Sequence, residues 1–403
     1  MKKHILVIAQ YFYPEQFRIN DICTEWVKRG YKVTVVTGIP NYPEGKYYKG
    51  YGLFKKRKET FNGINIIRIP LIPRGNNKLM LILNYFSFVI SGFFWKTFTR
   101  INADRVFIFE VSPMTQALPG VWYAKRKEIP CYIYVQDLWP ENIEIVAGIK
   151  NLVVLKMIGR MVDKIYKNCT KIFTTSNSFV NSIVDRGVPS DKVLCWPQYA
   201  EDFYKPLTKA KTNEIPADGA FNLIFAGNIG KAQGLDILVQ AADSIRNRNT
   251  DINIRYNIVG NGRYKNSLNH LVKKMNLENV FNFIPKQPAA RIPELLAVCD
   301  VAFLSLKNDP IFKMTIPAKL QTYMACGIPI IASADGEVME IINNANAGMC
   351  SPSGDVDKLA ENVISLEKTS EKQLVILGNN ARCYTENNFN KSKLLNIMDI
   401  YLQ

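Results

Sequence analysis

The chain has 403 residues, more than the about 250 to 300 that one hydrophobic core holds, so two domains are expected. It contains only two His, which excludes a multi-histidine metal site and disfavours a Ser-His-Asp triad. The formal charge of +16 is uneven, with 29 Lys and Arg against 14 Asp and Glu in residues 1–200 and 22 against 21 in residues 201–403. The cations of the first half lie among aromatic residues without a helix-turn-helix, zinc-finger or RNP-like pattern. This favours an anionic membrane surface over nucleic acid as a partner.

Strand-like apolar runs alternate with helical patterns along both halves of the chain. A polar, aperiodic stretch at residues 206–220 is the best candidate for a linker between them. The alternation predicts an α/β fold with two Rossmann-like domains in tandem and a cleft between them, each with a mainly parallel, doubly wound sheet. The predicted strands are residues 5–9, 32–37, 64–69, 105–109, 131–135, 171–175 and 192–196 before the linker, and 221–226, 254–259, 280–284, 301–304 and 328–332 after it.

The eight Cys show no Cys-x-x-Cys spacing and mostly lie in apolar surroundings, which indicates reduced thiols in a cytoplasmic protein. We expect no signal peptide before the first strand. Residues 79–95 are uncharged and largely apolar, and seventeen residues is about the lower limit for a membrane span. Asn84, Ser87 and Ser91 form a narrow polar stripe in this segment. A core helix, an interfacial helix and a true span all remain open, and the flanking Lys and Arg favour contact with a membrane surface.

Asp137 follows an apolar strand and precedes Leu-Trp-Pro-Glu141, which puts it at the carboxyl edge of the first sheet. A carboxylate there is suited to accept a proton from an acceptor hydroxyl or to hold an acceptor sugar. The alternative is a helix cap or an Asx turn before Pro140. By contrast, Asp355-Val-Asp357 resembles a metal-binding Asp-x-Asp but precedes a helical pattern, so we interpret it as a helix N-terminus.

In the second half, glycine-rich turns follow two strands at the same sheet edge. Gly227-Asn-Ile-Gly-Lys-Ala-Gln-Gly234 opens a helix, and Val259-Gly-Asn-Gly-Arg263 ends the next strand. Glycines let the backbone approach a phosphate, a helix start supplies free N–H groups, and an Arg can bind a diphosphate with two donors. Ligands of open α/β sheets bind beyond the carboxyl ends of the strands, so we expect these turns to line one pocket.

The segment 315–333 reads as a loop, a helix, a tight turn and a buried strand, with Lys319 in the first helical turn and no carboxylate. The helix start and Lys319 together suit a diphosphate. An ordinary αβ unit with a solvated Lys is the alternative, and Lys319 gains weight from the two glycine turns.

Taken together, five motifs resemble glycosyltransferase family 4, and most closely the N-acetyl-L-fucosamine transferases of O-antigen and capsule assembly. The motifs are Gln10-Tyr-Phe-Tyr-Pro-Glu-Gln-Phe-Arg-Ile-Asn20, Gly38-Ile-Pro-Asn-Tyr-Pro-Glu-Gly45, Gln136-Asp-Leu-Trp-Pro-Glu141, Phe225-Ala-Gly-Asn-Ile-Gly230 and Thr315-Ile-Pro-Ala-Lys-Leu-Gln321. The resemblance covers essentially the whole chain. It implies a GT-B fold, a nucleotide-sugar donor in the C-terminal domain, an acceptor on the N-terminal domain, a retaining mechanism and no required metal or other cofactor. It also implies a C-terminal helix, residues 391–402, that crosses back to the first domain.

The chain also departs from the family pattern. Many members carry two carboxylates seven residues apart in the donor loop, and these positions align with Met314 and Thr322. The family's Glu contact to the ribose therefore cannot be carried over, and Gln321 or Thr322 would have to replace it. A His that is common in the cleft aligns with Gln136, and the Arg and Lys of the phosphate turn align with Asn228 and Gln233.

These considerations predict domains at residues 1–205, 206–385 and 386–403, the last being the crossing helix. The predicted function is retaining transfer of a sugar, an N-acetylated deoxyhexose such as N-acetyl-L-fucosamine, from a UDP-sugar to a polyprenyl-diphosphate-linked saccharide at the inner face of the cytoplasmic membrane. A nucleotide-sugar 2-epimerase and a catalytically silent GT-B scaffold remain as alternatives. The predicted catalytic residues are Asp137, Lys319 and Arg263; the predicted donor-binding residues are Gly227, Asn228, Gly230, Gln233, Arg263, Ile284, Thr315, Lys319, Gln321 and Thr322; and the predicted acceptor-binding residues are Tyr13, Glu15, Arg18, Asn20, Asp137 and Glu141.

Overall fold

The chain divides into two compact units. The computed structural model describes residues 3–75, 77–143, 148, 151–208, 212–248 and 252–403. Unit 1 comprises Met1–Trp196 and Asn396–Gln403, and unit 2 comprises Pro197–Leu395. The sequence prediction put the divisions after residues 205 and 385 instead. Residues 209–211 of the predicted linker lie outside the described residues.

Unit 1 contains an eight-stranded sheet in the order β3-β4-β2-β1-β5-β6-β7-β8. Its strands pair in parallel except for β3 and β4, a hairpin that turns through Asn62 and Gly63 with φ of 47° and 78°. Asn-Gly is the favoured pair for such a two-residue turn, yet the sequence prediction missed β3 because its alternation is short and polar. The strands are β1 His4–Ile8, β2 Lys32–Thr37, β3 Lys58–Phe61, β4 Ile64–Arg68, β5 Arg105–Glu110, β6 Cys131–Val135, β7 Lys171–Thr174 and β8 Val193–Cys195.

The central strands of this sheet are buried on both faces, as expected when helices cover a parallel sheet. All five residues of β6 are buried, and Ile5 to Ile8 of β1 are fully inaccessible. The covering helices with described bounds are α1 Arg18–Lys28, α2 Lys78–Phe98, α3 Leu118–Lys127, α4 Leu152–Asn168 and α5 Asn177–Asp185.

Unit 2 contains a six-stranded, all-parallel sheet in the order β11-β10-β9-β12-β13-β14. Its strands are β9 Phe221–Asn228, β10 Ile254–Asn261, β11 Phe281–Ile284, β12 Val301–Ser305, β13 Ile330–Ser333 and β14 Gly348–Ser351. Its helices are α6 Asp236–Asn247, α7 Lys265–Lys274, α8 Ile292–Ala297, α9 Pro310–Lys313, α10 Ala318–Ala325, α11 Glu337–Ala345, α12 Val356–Glu367 and α13 Glu371–Asn388. The strand order reverses between β9 and β12, and such a switch point is where open α/β sheets bind ligands.

The last helix, α14, spans Lys391–Leu402, the range that the sequence predicts. Its final residues belong to unit 1, where Asp399 forms an ion pair with Arg29 at 2.6 Å. The carbonyl of Tyr401 accepts a hydrogen bond from the Tyr132 hydroxyl at 2.7 Å. The end of the chain is therefore fastened to unit 1 by polar contacts.

Candidate functional site

In unit 2, Lys319 lies against the first glycine turn. Its ammonium nitrogen is 5.0 Å from the centre of the Phe225 ring and 3.3 Å from the point that a Cβ on Gly227 would occupy. Burial lowers the pKa of Lys319 to about 8. Burial has removed part of the hydration shell of this ammonium, which faces a glycine turn. Contacts with a bound phosphate would replace the lost hydration.

The two glycine turns approach each other so closely that side chains are excluded between them. A Cβ on Gly260 would lie 2.0 Å from the carbonyl oxygen of Gly227, and one on Gly262 would lie 2.1 Å from that of Ile229. Gly227 and Gly260 have φ of 155° and 145°. The glycines thus let the ends of β9 and β10 pack backbone against backbone.

The polar side chains of these turns differ in the hydrogen bonds and ion pairs that they already form. The Gln233 side chain accepts a hydrogen bond from Gly230 N at 3.1 Å and so closes its own turn. Asn228 and Arg263 are exposed, and Arg263 forms no ion pair with the described residues. Arg263 is therefore available to an anion, whereas the carbonyl oxygen of the Gln233 amide is committed to the turn.

Helix α10 carries Thr322, one of the two positions that align with the acids of the resembling family, and the other, Met314, follows α9. Gln321 is buried and donates from Nε2 to the carbonyl of Gln198 at 2.7 Å, while its Oε1 has no hydrogen-bond partner among the described residues. Thr322 donates from its hydroxyl to the carbonyl of Ala318 at 2.9 Å. Thr315 likewise donates to the carbonyl of Ile311 at 2.8 Å, and Ile284 is buried at the end of β11. Of these side chains, Gln321 therefore has an oxygen, Oε1, that can still accept a hydrogen bond from a ligand.

In unit 1, Glu15 organises the loops that follow β1 and β2. Its carboxylate accepts hydrogen bonds from Asn41 N at 2.8 Å, Tyr42 N at 2.7 Å and Phe12 N at 3.3 Å. Burial raises the pKa of Glu15 to about 7, against the effect of these donors. Glu15 therefore holds the loop after β1, which is predicted to bind the acceptor, to the loop after β2.

The other predicted acceptor residues of the first loop lie around Glu15. Asn20 donates from Nδ2 to the Glu15 carbonyl at 2.7 Å, and the Tyr13 ring stacks on Phe61 with centroids 3.8 Å apart. Arg18 begins α1 and is half-buried. The structure thus brings Tyr13, Glu15, Arg18 and Asn20 into one loop-and-helix start.

Asp137 lies just beyond β6 and is held by Ser112. Its Oδ2 accepts hydrogen bonds from both the backbone N and the hydroxyl of Ser112, each at 2.8 Å. Burial raises the pKa of Asp137, and the Ser112 hydrogen bonds oppose that rise. Glu141 is exposed and lies 3.6 Å from the Arg186 guanidinium, so it has an ion pair of its own.

Glu110 is a further acid at this sheet edge that the sequence analysis did not single out. It ends β5, is fully inaccessible, and pairs in register with Val135, the last residue of β6. The backbone N–H groups of Gln136 and Asp137, which follow β6, favour its charged form. Burial raises the pKa of Glu110 well above its usual value, and the Asp137 charge adds to this rise. A carboxylate at the end of an apolar strand was the available signal.

Two other features lie outside these strand ends. Asp355 caps α12 by accepting a hydrogen bond from Lys358 N at 2.9 Å, so this segment is a helix N-terminus, as we interpreted it from the sequence.

A cavity of about 750 Å³ lies at the amino edge of the unit 2 sheet, lined by Phe221, Asn222 and Asp300 among others. It is at the opposite edge of the sheet from Lys319, so size alone does not identify the functional site.

Helix α2 in unit 1 is long and apolar enough to cross a membrane, but only 17% of its apolar window is buried. Asn84, Phe88 and Gly92 form the buried stripe, and Gly92 packs directly on Pro119. An ordinary core helix would be mostly buried, so that alternative is wrong. Large side chains on its outer face are exposed, namely Leu79, Ile82, Leu83, Phe86, Ile90, Phe93, Phe94 and Phe98.

The chain is similar in sequence to known glycosyltransferases. Residues 207–383 match the family described as "Glycosyl transferases group 1". The putative colanic acid biosynthesis glycosyl transferase WcaI of Escherichia coli is 26% identical over 351 residues, covering 82% of this chain and 83% of that protein. The probable glycosyltransferase WbjE of Pseudomonas aeruginosa is 25% identical and covers 64% of each chain.

Solved structures with the same fold cover nearly the whole chain. A sucrose-phosphate synthase from Thermosynechococcus elongatus has a TM-score of 0.76 at 16% identity, covering 99% of this chain and 98% of that one. Anabaena HepE, solved in complex with UDP and glucose, has a TM-score of 0.70 at 15% identity and covers 99% of both chains. The predicted fold, α/β with two Rossmann-like sheets in the GT-B arrangement, is thereby confirmed.

Proposed function

We propose that this chain is a retaining, metal-independent glycosyltransferase of the glycosyl transferases group 1 family. It transfers an N-acetylated deoxyhexose, such as N-acetyl-L-fucosamine, from a UDP-sugar to a saccharide on a polyprenyl diphosphate. The product is an intermediate of a surface polysaccharide. The observation that carries the proposal is the desolvated Lys319 ammonium beside the Gly227 turn.

At the donor site, Lys319 and Arg263 stabilise the leaving diphosphate. As the glycosidic bond breaks, negative charge develops on the diphosphate, and fixed cations aimed at it stabilise the transition state more than the ground state. The glycine turns at the ends of β9 and β10 supply backbone N–H groups at close range. Gln321 or Thr322 hydrogen-bonds the ribose, and the free Oε1 of Gln321 favours the former.

The choice of UDP and of a surface polysaccharide rests on relatives. HepE was solved with UDP, and WcaI is named for colanic acid biosynthesis. These properties belong to those proteins, and their transfer to this chain is part of the proposal.

At the acceptor site, Asp137 accepts the proton of the attacking hydroxyl or binds the acceptor sugar. Its raised pKa makes it a better base than an ordinary Asp, and Ser112 fixes its orientation. The loop around Glu15 forms the neighbouring surface for the acceptor.

The acceptor is a lipid, and the outer face of α2 suits contact with the membrane that holds it. Exposed Phe and Leu side chains on this face are suited to enter the headgroup region, and Lys78 and Lys96 lie at its two ends. The excess of Lys and Arg in the first half adds attraction to anionic lipids. We therefore propose a cytoplasmic enzyme that binds peripherally to the inner face of the cytoplasmic membrane.

Two other functions make different predictions. A nucleotide-sugar 2-epimerase would convert the donor without any acceptor, and its chemistry gives the exposed face of α2 no role. A catalytically silent GT-B scaffold would bind its partners without releasing UDP.

The deciding experiment measures UDP release by the purified protein from a panel of UDP-sugars, with and without membranes that carry the lipid acceptor. We expect release that requires both a donor and the membrane fraction, and that is lost in Lys319→Met but kept in Lys358→Met. Lys358 is an exposed cation in the same unit and is thus a matched control. Conversion of the UDP-sugar without acceptor would favour the epimerase, and the absence of turnover with every donor would favour the scaffold.

Membrane binding is tested separately by vesicle flotation. We expect binding to anionic vesicles that weakens as salt rises, and that is reduced in Phe86→Ser with Phe94→Ser but kept in Val375→Ser, an exposed apolar residue of unit 2. Vesicle binding that does not change with salt concentration would contradict the electrostatic part of this proposal.

A further inference from the structure

The central strand of unit 2 loses one of its neighbours partway along. Strand β9 pairs with β10 at eight positions, from Phe221 to Asn228. It pairs with β12 at only two, Leu223 with Val301 and Ile224 with Ala302. Beyond Ile224, the side of β9 that faces β12 has no strand ladder, and this is the switch point of the sheet.

The backbone groups that lose their ladder can be identified from the hydrogen bonds at the start of β9. Phe221 N donates to the carbonyl of Asn253 beside β10, while the Asn222 carbonyl accepts from Asp300 N beside β12, each at 2.8 to 2.9 Å. Along a strand these directions alternate, so even-numbered residues of β9 turn toward β12. Ala226 therefore points its N–H and its carbonyl into the gap.

A tyrosine from α10 fills this position. The Tyr323 hydroxyl accepts a hydrogen bond from Ala226 N at 2.8 Å and donates one to the Ala226 carbonyl at 3.1 Å. Its side chain is 1% exposed, and it packs with Leu320, Met324 and Ala226 in one apolar cluster. One hydroxyl thus takes over both hydrogen bonds that a neighbouring strand would make.

The two ends of this contact belong to the donor site. Ala226 directly precedes Gly227, and Tyr323 lies one helical turn after Lys319 on α10. We propose that Tyr323 is a positioning residue for the donor diphosphate. By joining the Gly227 turn to α10, it sets the distance between the glycine backbone and the Lys319 ammonium. Tyr323 acts through these groups and does not touch the ligand.

This inference rests on the proposed UDP-sugar site, and it goes further by assigning the geometry of that site to one hydroxyl. Without the hydroxyl, the N–H and the carbonyl of Ala226 stay buried without partners, which favours a shift of the turn or entry of water. Either change alters the place where the phosphates bind, while the rest of the nucleoside pocket is affected less.

The test compares Tyr323→Phe with Tyr256→Phe. Tyr256 is also buried, lies on β10 and stacks on Phe281, and its hydroxyl makes no hydrogen bond with the described residues. Tyr256→Phe therefore measures the effect of removing a buried hydroxyl oxygen that has no such hydrogen bond. Dissociation constants for UDP and for uridine, which lacks phosphates, are measured by calorimetry and by ligand-observed NMR. We expect Tyr323→Phe to weaken UDP binding about tenfold, the factor that corresponds to ~1.4 kcal/mol, while uridine binding and all constants of Tyr256→Phe stay within about twofold.

The outcomes separate this inference from the proposed function. If the wild-type protein does not bind UDP, the proposed donor site is wrong and the role of Tyr323 is wrong with it. If the wild type binds UDP and Tyr323→Phe binds it equally well, or loses UDP and uridine affinity by the same factor, only the positioning role is overturned.

Discussion

The two units place charges of opposite sign at the carboxyl ends of their strands, and in neither unit does this charge follow from the net charge of the surrounding half of the chain. The first half carries the large excess of Lys and Arg, yet Glu15, Glu110 and Asp137 lie at the strand ends of unit 1. The second half is almost neutral, yet Lys319 and Arg263 lie at the strand ends of unit 2. Net charge therefore describes the surface, and the chemistry of each site depends on a few side chains that the fold brings together.

Burial acts on both sets of groups in the direction that favours the neutral form. It raises the pKa of Glu15, Glu110 and Asp137, and it lowers that of Lys319. In the proposed reaction, the acid site takes up a proton and the basic site binds a diphosphate. The predictions below test each site separately.

The largest expected effect is at the basic site. Lys319→Ala should lower kcat/KM by about 3 kcal/mol of transition-state stabilisation, as for the loss of one charge-stabilising donor. The melting temperature should not fall, because Lys319 has no carboxylate partner among the described residues whose charge would be left unpaired. Steady-state kinetics and thermal unfolding measure the two quantities. Turnover near that of the wild type would remove Lys319 from the mechanism.

At the acid site, Asp137→Asn should lower kcat about a hundredfold while leaving UDP affinity unchanged. Asn retains an oxygen that can accept from Ser112, so the local structure is expected to persist. Asp191→Asn, an exposed site of unit 1, is the control. A change in UDP affinity equal to the change in kcat would contradict the division of labour between the units.

Glu15 gives the stability of unit 1 a pH dependence. Its pKa is about 7 in the folded chain against 4.5 for an ordinary Glu, so between these values the folded state holds a proton that the unfolded state lacks. The contribution of Glu15 to the free energy of unfolding must therefore fall by about 2 kcal/mol as the pH rises from 5 to 7. Urea unfolding at several pH values measures the slope of the free energy of unfolding against pH. We expect this decrease in the wild type and in Glu44→Gln, and a smaller decrease in Glu15→Gln. Equal slopes in all three would show that the burial of Glu15 has no such effect.

The smallest effect is a pH dependence of donor binding. Only protonated Lys319 attracts the diphosphate, and its pKa is about 8, so UDP affinity should fall as the pH rises above 8 and be about tenfold lower at pH 9. Calorimetry of the wild type and of Lys319→Met measures this difference. A Lys319→Met profile that falls as steeply as the wild type would assign the titration to another group.

Much of the structure of the proposed donor site was predictable because it follows from local sequence. The glycine turn after β9 and the segment around Lys319 each combine a strand, a turn and a helix start, and such units place residues at the carboxyl edge of a sheet wherever they occur. The predicted ends of the strands agree with the structure to within one or two residues for most strands. The role of Gln321 and Thr322 at the ribose stays a prediction.

The features that the sequence did not predict depend on contacts between distant segments. Tyr323 has the pattern of an ordinary core residue, and only the divergence of β9 from β12 gives its hydroxyl a specific partner 97 positions away. Glu110 ends an apolar strand, and only pairing with β6 brings it near Asp137. The exposure of α2 also depended on packing, since the same apolar segment suits a core helix.

The sequence by itself determined the two-domain α/β fold, the strands and helix starts, and the cationic turns of the donor site. Periodicity, glycines and capping residues act over a few positions and so can be read along the chain. The tertiary structure alone decided which buried polar groups meet, which of them lose their water, and therefore how the pKa values of Glu15, Asp137 and Lys319 shift. Desolvation depends on all the atoms around a group, and most of those atoms come from distant parts of the chain.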